Sequence, residues 1–231
     1  MGKYFFYYTK AESVRWLGHL DILRAFERAL RRTDLRVSFT QGFNPRIRIN
    51  FASPLGTGIT GDAEPAVIEL EDAMVPAEVE AALNAVLPPG IQIHGCEDIP
   101  DAGRRDLLNS FDRAEYQFTC ASPELFSEES CKSAVVEMLS RDDIPVVRER
   151  EGRTRTVNVR PYLQELEFQN LEPGNCRTVW RAIVGIGESG NVRPSEIADA
   201  LGTHLPGLKL RRAHRLGLRK SVETVSTSES N

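Results

Sequence analysis

Hydrophobic positions along this chain either alternate with polar ones or recur every three to four residues, and the two periods predict its elements. Residues 3–9 concentrate Tyr4, Phe5, Phe6, Tyr7 and Tyr8 and read as a strand. Residues 18–33 place Ile22, Leu23, Phe26, Ala29 and Leu30 at helical spacing, with Arg24, Arg28 and Arg31 sharing another face. Residues 37–40 form a short strand, and residues 46–52 alternate Ile47, Ile49 and Phe51 with Arg48 and Asn50. A turn region around Pro54, Gly56, Gly58 and Gly61 precedes a strand at 66–71. Pro76 then opens a helix carried by Val79, Leu83 and Val86, and a strand follows at 91–94.

The second half repeats that order. Residues 114–120 alternate as a strand, and Ser122-Pro123 reads as N-cap and first turn of a helix ending near Ser140. Residues 145–150 and 153–159 flank Glu151-Gly152 as a hairpin. Further strands are predicted at 163–168 and 176–184, a short helix at 194–201, and a basic strand or hairpin at 207–219. Strand, helix, strands, helix, strand is the pattern of the split β-α-β motif. The expected fold is α+β: two tandem ferredoxin-like units with antiparallel sheets and helices on one face. The units span 1–100 and 113–220, joined by a linker at 101–112 and followed by a disordered tail at 221–231.

Charge changes this picture more than composition does. The 231 residues carry a formal net charge of -4. Yet no Lys or Arg occurs between Ile49 and Gly103, while Asp62, Glu64, Glu69, Glu71, Asp72, Glu78, Glu80, Glu97, Asp98 and Asp101 do. The first 48 residues are basic, and Lys209, Arg211, Arg212, Arg215, Arg219 and Lys220 follow one another near the end without an acid. A fold that joins the two basic stretches presents a basic face, which suits a polyanion; the alternative is a set of solvated helix faces. No apolar run reaches the roughly 18 residues of a membrane span, and the start is too soon polar for a signal peptide. A cytoplasmic protein with no membrane partner is expected. Cys96, Cys120, Cys131 and Cys176 form no C-x-x-C pair, and His19, His94, His204 and His214 show no metal spacing. No metal and no cofactor are expected, and the cysteines read as free thiols.

Four motifs could carry chemistry. The run from Gln41 to Arg48 joins Gly42 and Pro45, which shape a loop, to Phe43 as a stacking face. Gln41 and Asn44 suit a base edge, and Arg46 and Arg48 suit phosphate; together they make a single-stranded RNA kit. The alternative tucks Phe43 into the core. Asn-Val-Arg-Pro occurs at 158–161 and again at 191–194, offering Arg160 and Arg193 as anion ligands or serving twice as a turn and cap. Gly185, Gly187 and Gly190 match G-x-G-x-x-G, but Pro194 delays the helix that a dinucleotide site needs, so a tight turn is expected. His19 and Asp21 flank a helix start, where His19 could be a general base and Asp21 a cap. Tandem ferredoxin-like units with a His on the first helix are similar to CRISPR-type metal-independent ribonucleases. There His19 would act with Tyr7, Tyr8 or a nearby Arg, although no Gly-rich RNA clamp is found late in this chain.

The run Arg15-Trp-Leu-Gly-His-Leu-Asp-Ile-Leu-Arg-Ala-Phe-Glu-Arg-Ala-Leu-Arg-Arg32, with Gln41-Gly-Phe-Asn-Pro-Arg-Ile-Arg-Ile-Asn-Phe-Ala-Ser-Pro-Leu-Gly56, resembles the radical SAM-linked protein family, a bacterial domain of unknown function. Thr156-Val-Asn-Val-Arg-Pro-Tyr162 and Val192-Arg-Pro-Ser-Glu196 resemble its later motifs, and the likeness covers all but the tail. Gly18 stands where the family's Ser is expected, which weakens a capping box. Members occur alone or fused behind cobalamin-binding radical SAM enzymes, so the resemblance implies such an enzyme as partner. This chain lacks the cluster-binding C-x-x-x-C-x-x-C motif and would be the accessory protein, more a binder than an enzyme. The resulting expectation is an RNA-binding accessory protein that presents ribosomal or transfer RNA for modification. Its expected contacts are Arg24, Arg28, Gln41, Phe43, Asn44, Arg46, Arg48, Arg160, Arg193, Arg212 and Arg215. A ribonuclease using His19 and a purely protein–protein adaptor are the alternatives.

Overall fold

The structure is a computed structural model that describes residues 1–100, 104–150, 152–172, 176–187 and 190–220. The tail expected at 221–231 and the start of the expected linker, 101–103, lie outside the described residues. The first half runs β1 (Gly2–Lys10), α1 (His19–Leu30), β2 (Ile49–Phe51), β3 (Ile59–Leu70), α2 (Pro76–Asn84) and β4 (Ile91–Asp98). The stretch read as a linker contains α3 (Arg104–Asn109). The second half runs β5 (Phe111–Ala121), α4 (Glu128–Leu139), β6 (Pro145–Arg150), β7 (Arg153–Asn158), β8 (Leu163–Glu172), β9 (Arg177–Gly185), α5 (Pro194–Leu201) and β10 (Lys209–Lys220).

The architecture is mixed α+β, but the two halves do not form separate sheets. One sheet runs β4-β1-β3-β10-β5-β9-β8, with β2 on part of β3, and β6–β7 forms its own ribbon. Within each half the order repeats: β4-β1-β3-β2, then β10-β5-β9-β8. The halves are joined where β10 pairs in parallel with β3, over Ala213–Arg215 and Ile59–Gly61. The other pairings are antiparallel. Strand β3 is long enough to share one edge: its C-terminal half pairs with β2 and its start with β10.

Two apolar cores lie on the helix side of this sheet. Tyr4, Phe6, Tyr8, Ile68 and Leu70 pack with Ile22 and Phe26 of α1 and Val79 and Leu83 of α2. Phe118, Trp180 and Ala182 pack with Cys131 and Met138 of α4 and Ile197 and Leu201 of α5. The register carries this face across the seam, because Lys10, Gly61, Arg215 and Tyr116 lie opposite one another on β1, β3, β10 and β5. Not all helices share it. Leu108 of α3 packs with Phe5, Val67 and Phe111 on the other face, where the alternate residues of β1 and β3 point.

Local chemistry explains two differences from the expected elements. Helix α4 starts at Glu128 because Ser127 caps it, accepting from the Ser130 N–H at 3.1 Å. Ser122 is spent on a turn: its hydroxyl accepts from the Glu124 N–H and donates to the Pro206 carbonyl. Strand β10 is a single strand rather than a hairpin, with register shifts that include one between Leu210 and Arg212. At the start of α1, the Gly18 N–H donates to Asp21 at 3.0 Å, so half of a capping box survives without a serine.

Candidate nucleic-acid interface

The seam between the halves is built on charge. Arg215 and Glu64 are both buried, and the guanidinium forms a two-point pair with the carboxylate through Nε and Nη2. Gly61 makes the space: a Cβ there would lie 2.5 Å from the Glu64 carboxylate. Burial works against the charge of Arg215, but Glu64 overrides it and holds the guanidinium pKa above its ordinary value. Lys10 is buried in the same row. Burial pushes its ammonium down, Glu64 pulls it back and Arg215 lowers it further, leaving a pKa of about 8 against the usual 10.5.

These two cations hold a loop. Arg215 Nη2 donates to the Ser53 carbonyl at 2.7 Å, and Lys10 Nζ donates to the Gly56 carbonyl at 3.2 Å. The other side of the loop, from Ser53 to Gly58, lines a cleft of about 590 Å³ over the seam. The cleft's remaining walls come from Tyr116, the residues leading into α5 and the start of β10. Among the described residues three arginines line it, Arg193, Arg211 and Arg212, and no carboxylate does. Arg211 and Arg212 are sequence neighbours, and the register shift after Leu210 lets both reach the cleft. Arg212 also meets Glu12 at 3.1 Å, while Arg193 and Arg211 have no side-chain partner among the described residues. Trp16 stands at the cleft with 67% of its surface exposed and Arg15 stacked 4.5 Å over its ring. Gly58, at φ +82, lets the ring lie close; a Cβ there would meet it at 3.1 Å.

Lys10 gives this site a pH signature. Its lowered pKa means that protonation costs folding energy, so stability linked to Lys10 rises as pH climbs from about 8 to 10.5. Melting curves across that range should show the wild type gaining on Lys10→Met as pH rises. Parallel curves would show that the buried ammonium carries no such cost.

The expected site residues separate into several places. Arg193 and Arg212 meet at the cleft. Arg215 lies beneath it, pinned to Glu64 and the Ser53 carbonyl, and is no surface ligand. Arg160 is not an anion ligand either: it donates to the Leu139 carbonyl from Nε and Nη2 and to the Leu163 carbonyl from Nη1. Leu139 ends α4, so Arg160 satisfies a carbonyl that the helix leaves open. Arg48 is committed to Glu69 at 3.1 Å and the Phe39 carbonyl at 2.9 Å. Arg24 and Arg28 are exposed on α1, Arg24 within 3.7 Å of Asp21. Gln41, Phe43, Asn44 and Arg46 form an exposed loop closed by bonds between Thr40 and Arg46. Phe43 is fully exposed, which excludes the core alternative. None of these last six lines the cleft.

The ribonuclease pair is not assembled. His19 packs edge-on against Phe51, 5.5 Å between centroids, on the helix side of the sheet. Tyr7 points to the opposite face and stacks on His94, 6.0 Å away; burial, then Glu97, raises its pKa. Tyr8 is on the helix side but buried, its pKa raised first by burial.

Cys120 and Cys131 are buried, Cys96 and Cys176 partly so, and all four are free. Burial pushes the Cys96 and Cys120 thiols up to about 12. Among the described residues no cluster suits a metal ion, and no helix is long and apolar enough to cross a membrane. Sequence reasoning missed Trp16, Lys10 and Glu64. Trp16 was legible as a large aromatic beside Arg15 and outside the buried repeat of α1; the other two depend on pairing between distant strands.

No curated protein matches the chain. Among solved structures it is similar to a chain of a Cbf5-Nop10-Gar1 complex, with a TM-score of 0.49 and 10% identity over 91% of this chain and 48% of that one. It is similar to a chain of the archaeal box H/ACA sRNP Nop10-Cbf5 complex, with a TM-score of 0.48 and 9% identity over 90% and 46%. A chain of an H/ACA RNP bound to a substrate RNA containing 2'-deoxyuridine gives a TM-score of 0.48 and 11% identity over 91% and 46%. The chain thus spans just under half the length of those chains. Its sequence itself carries the family profile across residues 3–194, so the chain belongs to the bacterial family DUF2344, described as an uncharacterized protein conserved in bacteria.

Proposed function

We propose that this protein binds RNA through the seam cleft and presents it to a modification enzyme, without itself being the catalyst. The observation that carries the reading is a concave surface lined by Arg193, Arg211 and Arg212, with no carboxylate among its described lining residues and an exposed Trp16 beside it. Arginine recognises phosphate oxygens, and an aromatic face stacks any base, which together suit a single strand. The fold behind it is two ferredoxin-like units joined edge to edge, each with the repeated strand order. The exposed loop with Gln41, Phe43, Asn44 and Arg46 is a second stacking surface on the same protein. The likeness to radical SAM-linked proteins supplies a radical SAM enzyme as the recipient.

The test is fluorescence anisotropy of labelled single-stranded RNA with the purified protein across a salt series. Micromolar or tighter binding is expected, weakening linearly in log–log form as salt rises, because phosphate contacts release counterions. Absent binding, or binding indifferent to salt, overturns the reading in favour of a protein–protein adaptor.

A further inference from the structure

The β6–β7 ribbon stands apart from the large sheet, and its register is unusual for charge. Arg148 lies opposite Arg155, and Arg150 lies opposite Arg153. Residues opposite one another, and residues two apart on a strand, share a face, so Arg148, Arg153 and Arg155 fall on one face of the ribbon. Like charges directly opposite destabilise a strand pair, and a lone two-stranded hairpin is marginal to begin with. Of these arginines, Arg148 is answered by Glu196, so the cost falls on the facing strand. Arg153 and Arg155 are exposed and have no partner among the described residues. Glu149 falls on the other face, opposite Thr154.

This arginine face is tied to the cleft. Arg148 donates to both Glu196 oxygens, at 2.7 and 2.8 Å, and to the Asn191 carbonyl at 2.7 Å. Asn191 lines the cleft, and Glu196 follows its Ser195 wall. Val146 and Val157, opposite one another at the base of the same face, pack on the second core. From that base the ribbon extends outward, with Arg155 and Arg153 toward its tip.

The geometry points to the ribbon as a second phosphate-binding element, an arm that continues the path of a single RNA strand lying in the cleft, with Arg153 and Arg155 as its ligands. This rests on the cleft being the RNA site. A six-residue strand spans about 20 Å, so only a strand longer than the cleft would reach the tip.

The probes are labelled oligouridylates of about 5 and about 15 nucleotides, within the usual range of single-strand site sizes. Arg153→Gln/Arg155→Gln is expected to leave the short probe's affinity unchanged. With the long probe it should weaken binding and lower the salt slope by about 1.4, the release expected for two phosphate contacts on a single strand. Arg153→Lys/Arg155→Lys keeps the charges and should keep the slope. Loss in both variants would mark damage to the ribbon rather than lost charge and would overturn the inference. So would an unchanged slope in the Gln variant of a protein that binds RNA through its cleft. If the wild type binds neither probe, the cleft reading fails as well.

Discussion

Glu64→Gln is expected to be the most destabilising single substitution at the seam, costing at least the roughly 3–5 kcal/mol typical of breaking a buried ion pair. In a chain of this size that is a fall in melting temperature of roughly 6–20 °C. The reason is the arithmetic of charge beneath the cleft. Glu64 is the anion that answers both Arg215, through two hydrogen bonds, and Lys10, whose pKa it pulls upward. Removing its charge leaves two buried cations facing each other. Lys10 can shed its proton, because its pKa already stands at about 8, but a guanidinium cannot.

Arg215→Met should cost less than Glu64→Gln, since it leaves Lys10 and Glu64 in balance. The two variants thus rank by residual charge rather than by lost contacts. Lys10→Met/Glu64→Leu/Arg215→Met should recover much of the loss, because buried ion clusters can often be replaced by apolar residues at little cost. Thermal melts at pH 7 measure all three. Equal losses in Glu64→Gln and Arg215→Met would show that Lys10 is not part of the cluster.

Which parts of this molecule could be read along the chain follows from how local each determinant is. Helix α1 was legible because Ile22, Phe26, Ala29 and Leu30 repeat on one face and are all buried. Strand β1 was legible from its aromatic run. The single sheet was not, because it depends on β10 closing in parallel onto β3 at three residue positions more than 150 residues away in sequence. Charge misled for the same reason. The acidic stretch looked segregated from the basic ones, yet the fold interleaves them. Glu69 pairs with Arg48, Glu71 and Asp72 with Arg36, Asp62 with His214, and Glu64 with Arg215. What remains for a polyanion is smaller than the whole basic count, and one part of it is gathered where Arg193 joins Arg211 and Arg212. The repeated Asn-Val-Arg-Pro shows the limit most plainly: the same four residues place Arg160 on helix-end carbonyls and Arg193 at the mouth of a cleft.

Trp16→Ala is expected to weaken RNA binding by about 5- to 150-fold, the effect of removing one base-stacking aromatic at about 1–3 kcal/mol, while leaving the salt slope in place. Stacking involves no released counterion, so only the intercept of the salt plot should move. Arg193→Gln/Arg211→Gln should do the opposite in kind, lowering the slope by about 1.4 through two lost phosphate contacts. Both arginines are unpartnered among the described residues, and Trp16 is mostly exposed, so neither variant removes a buried contact of the fold. Arg212 is the poorer probe, because Glu12 holds it and Glu12 also meets Arg15, which stacks on Trp16. Anisotropy titrations at four or more salt concentrations, on the same labelled RNA, separate the two effects. Should Trp16→Ala bind as the wild type does while the arginine variant loses slope, the cleft holds phosphate but the base lies elsewhere, and the exposed Phe43 becomes the stacking residue to test. Should both variants bind normally, the RNA does not enter the seam.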